Sequence, residues 1–258
     1  MKLQQCTLAD GGRMDVYLRD AALEMPDAMR RPLVIVVPGG GYGYVSPREA
    51  DPVALQFAAA GYHTAVLRYS TGADAQDYRP MKQLAEAIDL VRANADAWSV
   101  LPDKIAVCGF SAGGHLALSS AVLNVPGCTD QPRPNAVILA YPVVTAGPYA
   151  HRGSFEMLAG SKDLADQARF GLEDKITSAA TPVFVWHTMD DASVPVENSL
   201  MLISALHKAG VPCEAHLFQS GAHGSSISTP EVNADSTHRH HWVELAMEWL
   251  ADTFDFKV

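Results

Sequence analysis

Lys104-Ile105-Ala106-Val107-Cys108-Gly109-Phe110-Ser111-Ala112-Gly113-Gly114-His115-Leu116-Ala117-Leu118 reads as an apolar strand, a Gly-x-Ser-x-Gly turn and the start of a helix. A serine at a sharp strand-to-helix turn takes a strained backbone, and only glycine-sized neighbours two positions away let the two elements approach. The hydroxyl then stands above the sheet, where the helix N-terminus offers free backbone N–H groups and positive potential. The three-residue pattern alone is weak; the flanking strand and helix give it meaning. The competing reading is a glycine-rich turn that merely packs a helix on a sheet.

Outward from this segment, strands and helices alternate. Leu33 to Val37 is a continuous apolar run of the kind buried on both faces of a parallel sheet. Further strands are expected at Met14–Leu18 (half-exposed), His63–Tyr69, Ala136–Tyr141, Val183–Trp186 and Cys213–Phe218. Helices are expected at Ala50–Ala60, Met81–Ala95, Ala112–Leu123, Val196–Lys208 and Arg239–Thr253. In the second of these Leu84, Ile88 and Val91 share a face, with Lys82, Glu86, Asp89 and Arg92 on the rest. A less regular stretch runs from Val144 to Ala180. No repeat or Gly/Ser linker divides the chain, so 1–258 is expected to be one α/β domain with a parallel sheet and helices on both faces. Ligands of such sheets bind beyond the carboxyl ends of the strands.

Composition narrows the function. The 258 residues carry 29 Asp+Glu against 19 Lys+Arg, a formal charge of −10, which argues against nucleic acid or an anionic lipid surface as partner. Nearly half the residues are hydrophobic (48%) and few are charged (19%), which excludes intrinsic disorder. No apolar run nears the ~20 residues of a membrane span, and the N-terminus lacks signal-peptide features. A soluble, cytoplasmic protein is expected. Cys6, Cys108, Cys128 and Cys213 are far apart and suggest neither disulfides nor a zinc site.

Three more segments bear on chemistry. Pro38-Gly39-Gly40-Gly41-Tyr42-Gly43-Tyr44 follows the best buried strand. A tetrahedral oxyanion needs at least two converging N–H donors. One can come from Ala112, and another from a loop whose backbone approaches closely, hence glycines. The same loop lacks the Lys-Ser/Thr of a phosphate loop and an acidic residue to hold a ribose. Val183-Phe184-Val185-Trp186-His187-Thr188-Met189-Asp190-Asp191 runs from a strand into two adjacent carboxylates. They cannot point the same way, so one orients a histidine, with Asp191 preferred, unless both merely cap the following helix. Gln219-Ser220-Gly221-Ala222-His223-Gly224-Ser225 places a histidine among small residues in a loop after a strand, free to reach a serine hydroxyl.

The other histidines are read differently. His115 lies one helical turn beyond Ser111 and is expected to be a buried packing residue with one hydrogen bond; His216 sits mid-strand. His187 precedes the carboxylate pair and is a candidate to shape that loop. His238, His240 and His241 lack acidic or cysteine partners at ligand spacing, so a solvated helix start is favoured over a metal site.

The Gly-x-Ser-x-Gly elbow, the glycine-rich loop and the chain order Ser111, Asp191, His223 resemble the α/β-hydrolase superfamily. Within it the segments Val37–Tyr42, Gly109–Ala117, Trp186–Asp191 and Val194–Leu200, with the Gly-x-His-Gly around His223, resemble small bacterial carbohydrate esterases of the acetylxylan and feruloyl-esterase-like group. The likeness spans residues 34 to about 250. It implies an α/β-hydrolase fold with a mostly parallel sheet of about eight strands and helices on both faces. Ser111 would be the nucleophile, His223 the base and Asp191 its orienter, with Gly40, Gly41 and Ala112 donating to the oxyanion. His187 and Val194-Pro195 as anchors put Asp191, not Asp190, at the acid position. There is room for at most a small lid from 144–180, where His151, Arg152 and Phe155 are candidates to line the cleft. The activity implied is hydrolysis of short acyl esters, above all acetyl esters of sugars or xylo-oligosaccharides, with no metal or organic cofactor. The partner would be a small-molecule or oligosaccharide ester, and a homodimer stays open without an interface signature. The alternatives are a prolyl-peptidase-like serine peptidase, suggested by the Asp-Asp-x-x-Val-Pro stretch, and a catalytically silent hydrolase-like binding domain.

Overall fold

The computed structural model describes residues 1–20 and 30–256. Its strands are β1 (Lys2–Thr7), β2 (Arg13–Leu18), β3 (Arg31–Val37), β4 (His63–Arg68), β5 (Val100–Phe110), β6 (Ala136–Ala140), β7 (Val183–Thr188) and β8 (Cys213–Phe218). They form one sheet in the order β1-β2-β4-β3-β5-β6-β7-β8. The six from β4 to β8 in that order pair in parallel, whereas β1 and β2 run antiparallel at one edge. Parallel neighbours need crossovers, and the helices supply them. These are α1 (Asp51–Ala59), α2 (Arg79–Ala93), α3 (Ala95–Trp98), α4 (Ala112–Val122), α5 (Arg152–Ala159), α6 (Leu164–Ala168), α7 (Glu197–Ala209) and α8 (Thr237–Phe254).

Strand alternation divides the core in two. Leu33, Ile35 and Val37 of β3 point to the face covered by α2, α4 and α7; Val34 and Val36 point to the face covered by α1 and α8. All five are fully buried, as the unbroken apolar run of β3 requires. On the second face Trp186 stacks on Trp242 with centroids 5.3 Å apart, and Tyr141 meets Trp186 edge-on at 5.0 Å. This aromatic layer lies beneath the ends of β6 and β7 and stiffens the rim from which the site loops rise.

The sequence order of strands reverses at β3. From there the chain goes to β4 on one side, then returns to β5 on the other. At such a switch point the two following loops diverge and leave a crevice between them. The loops concerned are Pro38–Tyr44 after β3 and the Ser111 turn after β5.

One strand has no counterpart among the expected elements, and one expected element is more buried than its pattern suggests. β1 alternates without an apolar face and is mostly exposed, so only its pairing with β2 identifies it as a strand. The strand expected to be half-exposed, β2, buries Met14, Asp15, Val16 and Leu18. Asp15 is accommodated there by Arg68 Nε at 2.6 Å and Gln5 Nε2 at 2.9 Å. The irregular stretch 144–180 contains α5 and α6. No helix among the described residues is long and apolar enough to cross a membrane.

The join of β5 to α4 is tight. A Cβ on Gly109 would lie 2.3 Å from Gly113 O, and one on Gly113 would lie 2.1 Å from Val37 O and 2.3 Å from Pro38 O. Backbone cannot yield to such contacts without moving β3. Gly113→Ala is therefore expected to destabilise the fold by about 3 kcal/mol or more. Gly127→Ala, where φ is +82° and nothing lies within 4 Å, should cost only about 1 kcal/mol. Denaturant melts of the two variants check this; equal losses would remove the close approach as the reason for glycine at 113.

Candidate active site

Ser111 sits at φ 52°, ψ −120°, a left-handed, strained conformation for a residue with a side chain. Its backbone is pinned on both sides. Ser111 N–H donates to Ala140 O at 3.0 Å, and its carbonyl accepts from His115 N and Val143 N, each at 3.1 Å. The strain is thus held by β6 and α4, and the hydroxyl is directed upward off the sheet.

The hydroxyl is 2.8 Å from His223 Nε2, and His223 Nδ1 is 2.6 Å from Asp191 Oδ2. Three side chains from the ends of β5, β8 and β7 thus form one hydrogen-bonded row. The Asp191 side chain is fully buried. Its Oδ1 accepts from Ser193 N–H and Val194 N–H, each at 2.9 Å. Burial alone would raise its pKa. Hydrogen bonds from His187 and His223, the His223 charge and the Val194 N–H outweigh burial and hold the carboxyl well below the usual carboxylate range. An ionised carboxylate on Nδ1 leaves Nε2 free to accept a proton from the serine.

Asp190 points elsewhere. Its Oδ1 accepts from Gly221 N–H at 2.8 Å, while Thr188 Oγ1 donates to Gly221 O at 2.8 Å. The second carboxylate therefore ties down the start of the loop that carries His223. His187, fully buried, is 2.7 Å from Ser199 Oγ through Nδ1 and 3.0 Å from Val194 O through Nε2. That Nε2 also lies 3.3 Å from Asp191 Oδ2, so His187 shapes the carboxylate loop from below.

The glycine loop lies opposite. Gly40 has φ +123° and a Cβ there would strike Tyr44 O at 2.1 Å; Gly41 has φ +62°. Among the described residues the N–H groups of Gly40, Gly41 and Ala112 have no intramolecular acceptor. Gly40, Gly41, Ser111 and His223 line a cleft of about 250 Å³, together with Tyr44, Ser46, Arg48, Glu49, His151, Ser193 and Gly224. Such a cleft, with a nucleophile, a base and free N–H groups, can carry out acyl transfer.

Of the three residues offered by the 144–180 segment, only His151 lines the cleft. Arg152 turns inward, donating to Ala146 O at 2.8 Å and Gly147 O at 2.6 Å, and so holds the segment's own backbone. Phe155 is buried against His115, 5.4 Å between centroids. His115 makes two hydrogen bonds rather than one, to Tyr42 OH and Phe170 O, both at 2.8 Å. It thereby links the glycine loop to the 144–180 segment. His216 pairs with Glu214 at 2.8 Å, His240 reaches Ile227 O at 2.6 Å, and His238 packs on Phe218, all away from the row. Among the described residues no cluster of three or more His, Cys, Asp or Glu is arranged to hold a metal.

A doubly covered, mostly parallel sheet with this row at its carboxyl edge is the architecture of the α/β hydrolases. Comparison with known proteins agrees. A family model described as BD-FAE matches residues 14–135, which include the glycine loop and Ser111. The α/β hydrolase MGS-M1, from a Medee basin deep-sea metagenome library, is 34% identical, with 99% of each chain covered and a TM-score of 0.85. The acetyl ester-xyloside bifunctional hydrolase of Caldicellulosiruptor lactoaceticus is 33% identical, covering 97% of this chain and 91% of its own, with a TM-score of 0.85. The acetylxylan esterase of Xylanibacter ruminicola is 29% identical over 205 residues, 76% of this chain and 41% of that protein. The chain belongs to the α/β-hydrolase superfamily, and its likeness within it is to carbohydrate esterases and carboxylesterases. It spans between 34% and 54% of the length of the curated relatives it matches.

Burial is the main reason that His115 titrates at about 4, only partly opposed by the Phe170 carbonyl, with Lys175 adding to the lowering. In the unfolded chain an imidazole protonates near 6.5, so between these values the unfolded state binds the extra proton and stability falls as pH falls. Between pH 7 and pH 4.5 this amounts to about 2 kcal/mol. Denaturant melts of the wild type and His115→Gln at the two pH values measure it as a difference of differences. Equal acid sensitivity in both would show that His115 is not the group responsible.

Proposed function

We propose that the protein is a serine carboxylesterase that removes short acyl groups, acetyl foremost, from sugars or xylo-oligosaccharides. The observation that carries the reading is the row Asp191–His223–Ser111, with spacings of 2.6 and 2.8 Å, opening on the small cleft below the glycine loop. In this reading the three residues are a catalytic triad. Ser111 Oγ attacks the ester carbonyl carbon as His223 Nε2 takes the hydroxyl proton. Asp191 stabilises the resulting imidazolium and keeps its orientation. The carbonyl oxygen becomes an oxyanion held by the N–H groups of Ala112 and of Gly40 or Gly41, each donor worth about 3–4 kcal/mol in the transition state. His223 returns the proton to the departing alcohol oxygen, leaving an acyl ester on Ser111. A water, deprotonated by His223, then attacks the acyl carbon, and collapse frees the acid and restores the serine proton.

Ester hydrolysis is supported by the kinship with the acetylxylan esterase and the acetyl ester-xyloside hydrolase. The preference for short acyl groups is supported by the cleft, whose 250 Å³ falls below the roughly 300–1,000 Å³ usual for drug-sized ligands. Sugar as the alcohol rests on that kinship alone. A chain-length series of p-nitrophenyl esters, set against acetylated xylo-oligosaccharides, tests both. Higher kcat/KM on butyrate or longer esters than on acetate would overturn the acyl preference.

Ser111→Ala is expected to lower kcat on p-nitrophenyl acetate about 10⁶-fold. Turnover that survives would exclude this serine as nucleophile. Asp191→Asn should cost roughly 10³–10⁴-fold, because an amide favours the wrong imidazole tautomer. Asp190→Asn should cost less than about tenfold, since an amide oxygen can still accept the Gly221 N–H. Steady-state kinetics of the pair decide the assignment, and equal losses would reverse it.

A further inference from the structure

Glu49 is only 2% exposed and lies against the cleft without belonging to the row. Both of its oxygens are committed. Oε2 accepts a hydrogen bond from the Gly39 N–H at 2.9 Å, and Oε1 accepts one from the Tyr141 hydroxyl at 2.7 Å. The Gly39 N–H belongs to the same peptide plane as the Pro38 carbonyl, which accepts from the buried Tyr69 hydroxyl at 2.7 Å. Glu49 and Tyr69 thus clamp one peptide from its two ends, directly before Gly40. Because successive peptide planes share an α-carbon, fixing this one constrains where the next N–H groups can point.

The other end of the connection reaches the histidine loop. Tyr141 oxygen accepts the Ser226 N–H at 2.9 Å, and its ring stands edge-on to His223, 4.9 Å between centroids. Ser226 Oγ donates in turn to Arg48 O at 2.6 Å, next to Glu49 in the chain. The glycine loop and the histidine loop are far apart in sequence, and this buried network joins them without passing through Ser111.

We infer that Glu49 is a positioning residue: with Tyr141 it forms a carboxylate–phenol bridge that sets the oxyanion loop and His223 in register with each other. The inference rests on the roles given above to Ser111, His223 and the glycine loop. A carboxylate suits the position because its two oxygens can each accept a hydrogen bond from a different donor. A glutamine has one oxygen, so it can serve Gly39 or Tyr141 in the original manner but not both. Both oxygens of Glu49 are engaged by protein donors, which suits a positioning role.

The bridge predicts a split in the kinetics and a failure of additivity. Glu49→Gln and Tyr141→Phe, both nearly isosteric, should each lower kcat on p-nitrophenyl acetate roughly tenfold. This is less than the ~10²–10³ expected for removing an oxyanion donor outright. KM should stay within about twofold, because the loss falls on the transition state. Active sites are counted by stoichiometric labelling of the serine with an organophosphate, so that a misfolded fraction does not pass for a lower kcat. The double variant should be no more than about threefold worse than the poorer single, since either change breaks the same link. Losses that multiply to about a hundredfold, a rise in KM at constant kcat, or unchanged kcat in both singles would each overturn the bridge. Ser111→Ala is measured alongside. If it keeps activity, the site reading fails first; if it is inactive and the losses multiply, the site reading stands and only the bridge fails.

Discussion

Everything at the site depends on the contact between the first turn of α4 and the end of β3. Gly113 lies where a single added carbon would stand 2.1 Å from the Val37 carbonyl. That approach brings the N-terminus of α4 down onto the sheet, forces Ser111 into its left-handed backbone, and leaves the Ala112 N–H with no acceptor among the described residues. The same β3 end carries the glycine loop. One packing distance therefore sets both sides of the crevice, and the reversal of strand order at β3 keeps it open.

The strain is local, but what resists it is distributed. Ser111 alone would relax, because a non-glycine residue at φ 52° and ψ −120° costs of order 1–3 kcal/mol. Three main-chain hydrogen bonds, to Ala140, His115 and Val143, over-determine it. Beneath them the stacked Trp186 and Trp242 and the edge-on Tyr141 fill the space under the rim. Burial of such rings supplies more free energy than the strained turn consumes, so the fold tolerates a hydroxyl held in an unfavourable backbone.

Sequence reading reached the fold and the row because both rest on local signals. The apolar run of β3, the glycines flanking Ser111 and the chain order of Ser111, Asp191 and His223 each leave a mark within a few residues. The structure brings these three together, and the preference for Asp191 over its neighbour agrees with where the two carboxylates point. What stayed hidden depends on distant contacts. Glu49, in Ser-Pro-Arg-Glu, looks like any solvated loop acid; only the arrival of Tyr141, 92 residues on, makes it a buried acceptor. Arg152 and Phe155 looked like cleft residues because the 144–180 segment has no clear periodicity. The fold instead spends Arg152 on the carbonyls of its own segment and Phe155 on the core. β1 was illegible because an exposed edge strand has no apolar face to show.

The two carboxylates at 190 and 191 show how adjacent residues can divide a task. At a strand end successive side chains diverge, so Asp191 goes inward to His223 while Asp190 goes outward to the Gly221 N–H. One carboxylate is hydrogen-bonded to the imidazole; the other fixes the loop on which that imidazole rides. Asp191 meets four donors, from Ser193, Val194, His223 and, at 3.3 Å, His187, and so is fully solvated by protein before any substrate arrives. In the mechanism proposed above, dipoles that are fixed in advance need no reorganisation as the serine proton passes to His223. A water-exposed carboxylate would have to exchange its hydration shell at that moment. Burial, which by itself disfavours this anion, becomes useful only because the chain supplies those donors from the two residues after the turn and from two histidines. The donors that surround Asp191 are therefore set in place during folding, in the geometry of a short loop after β7.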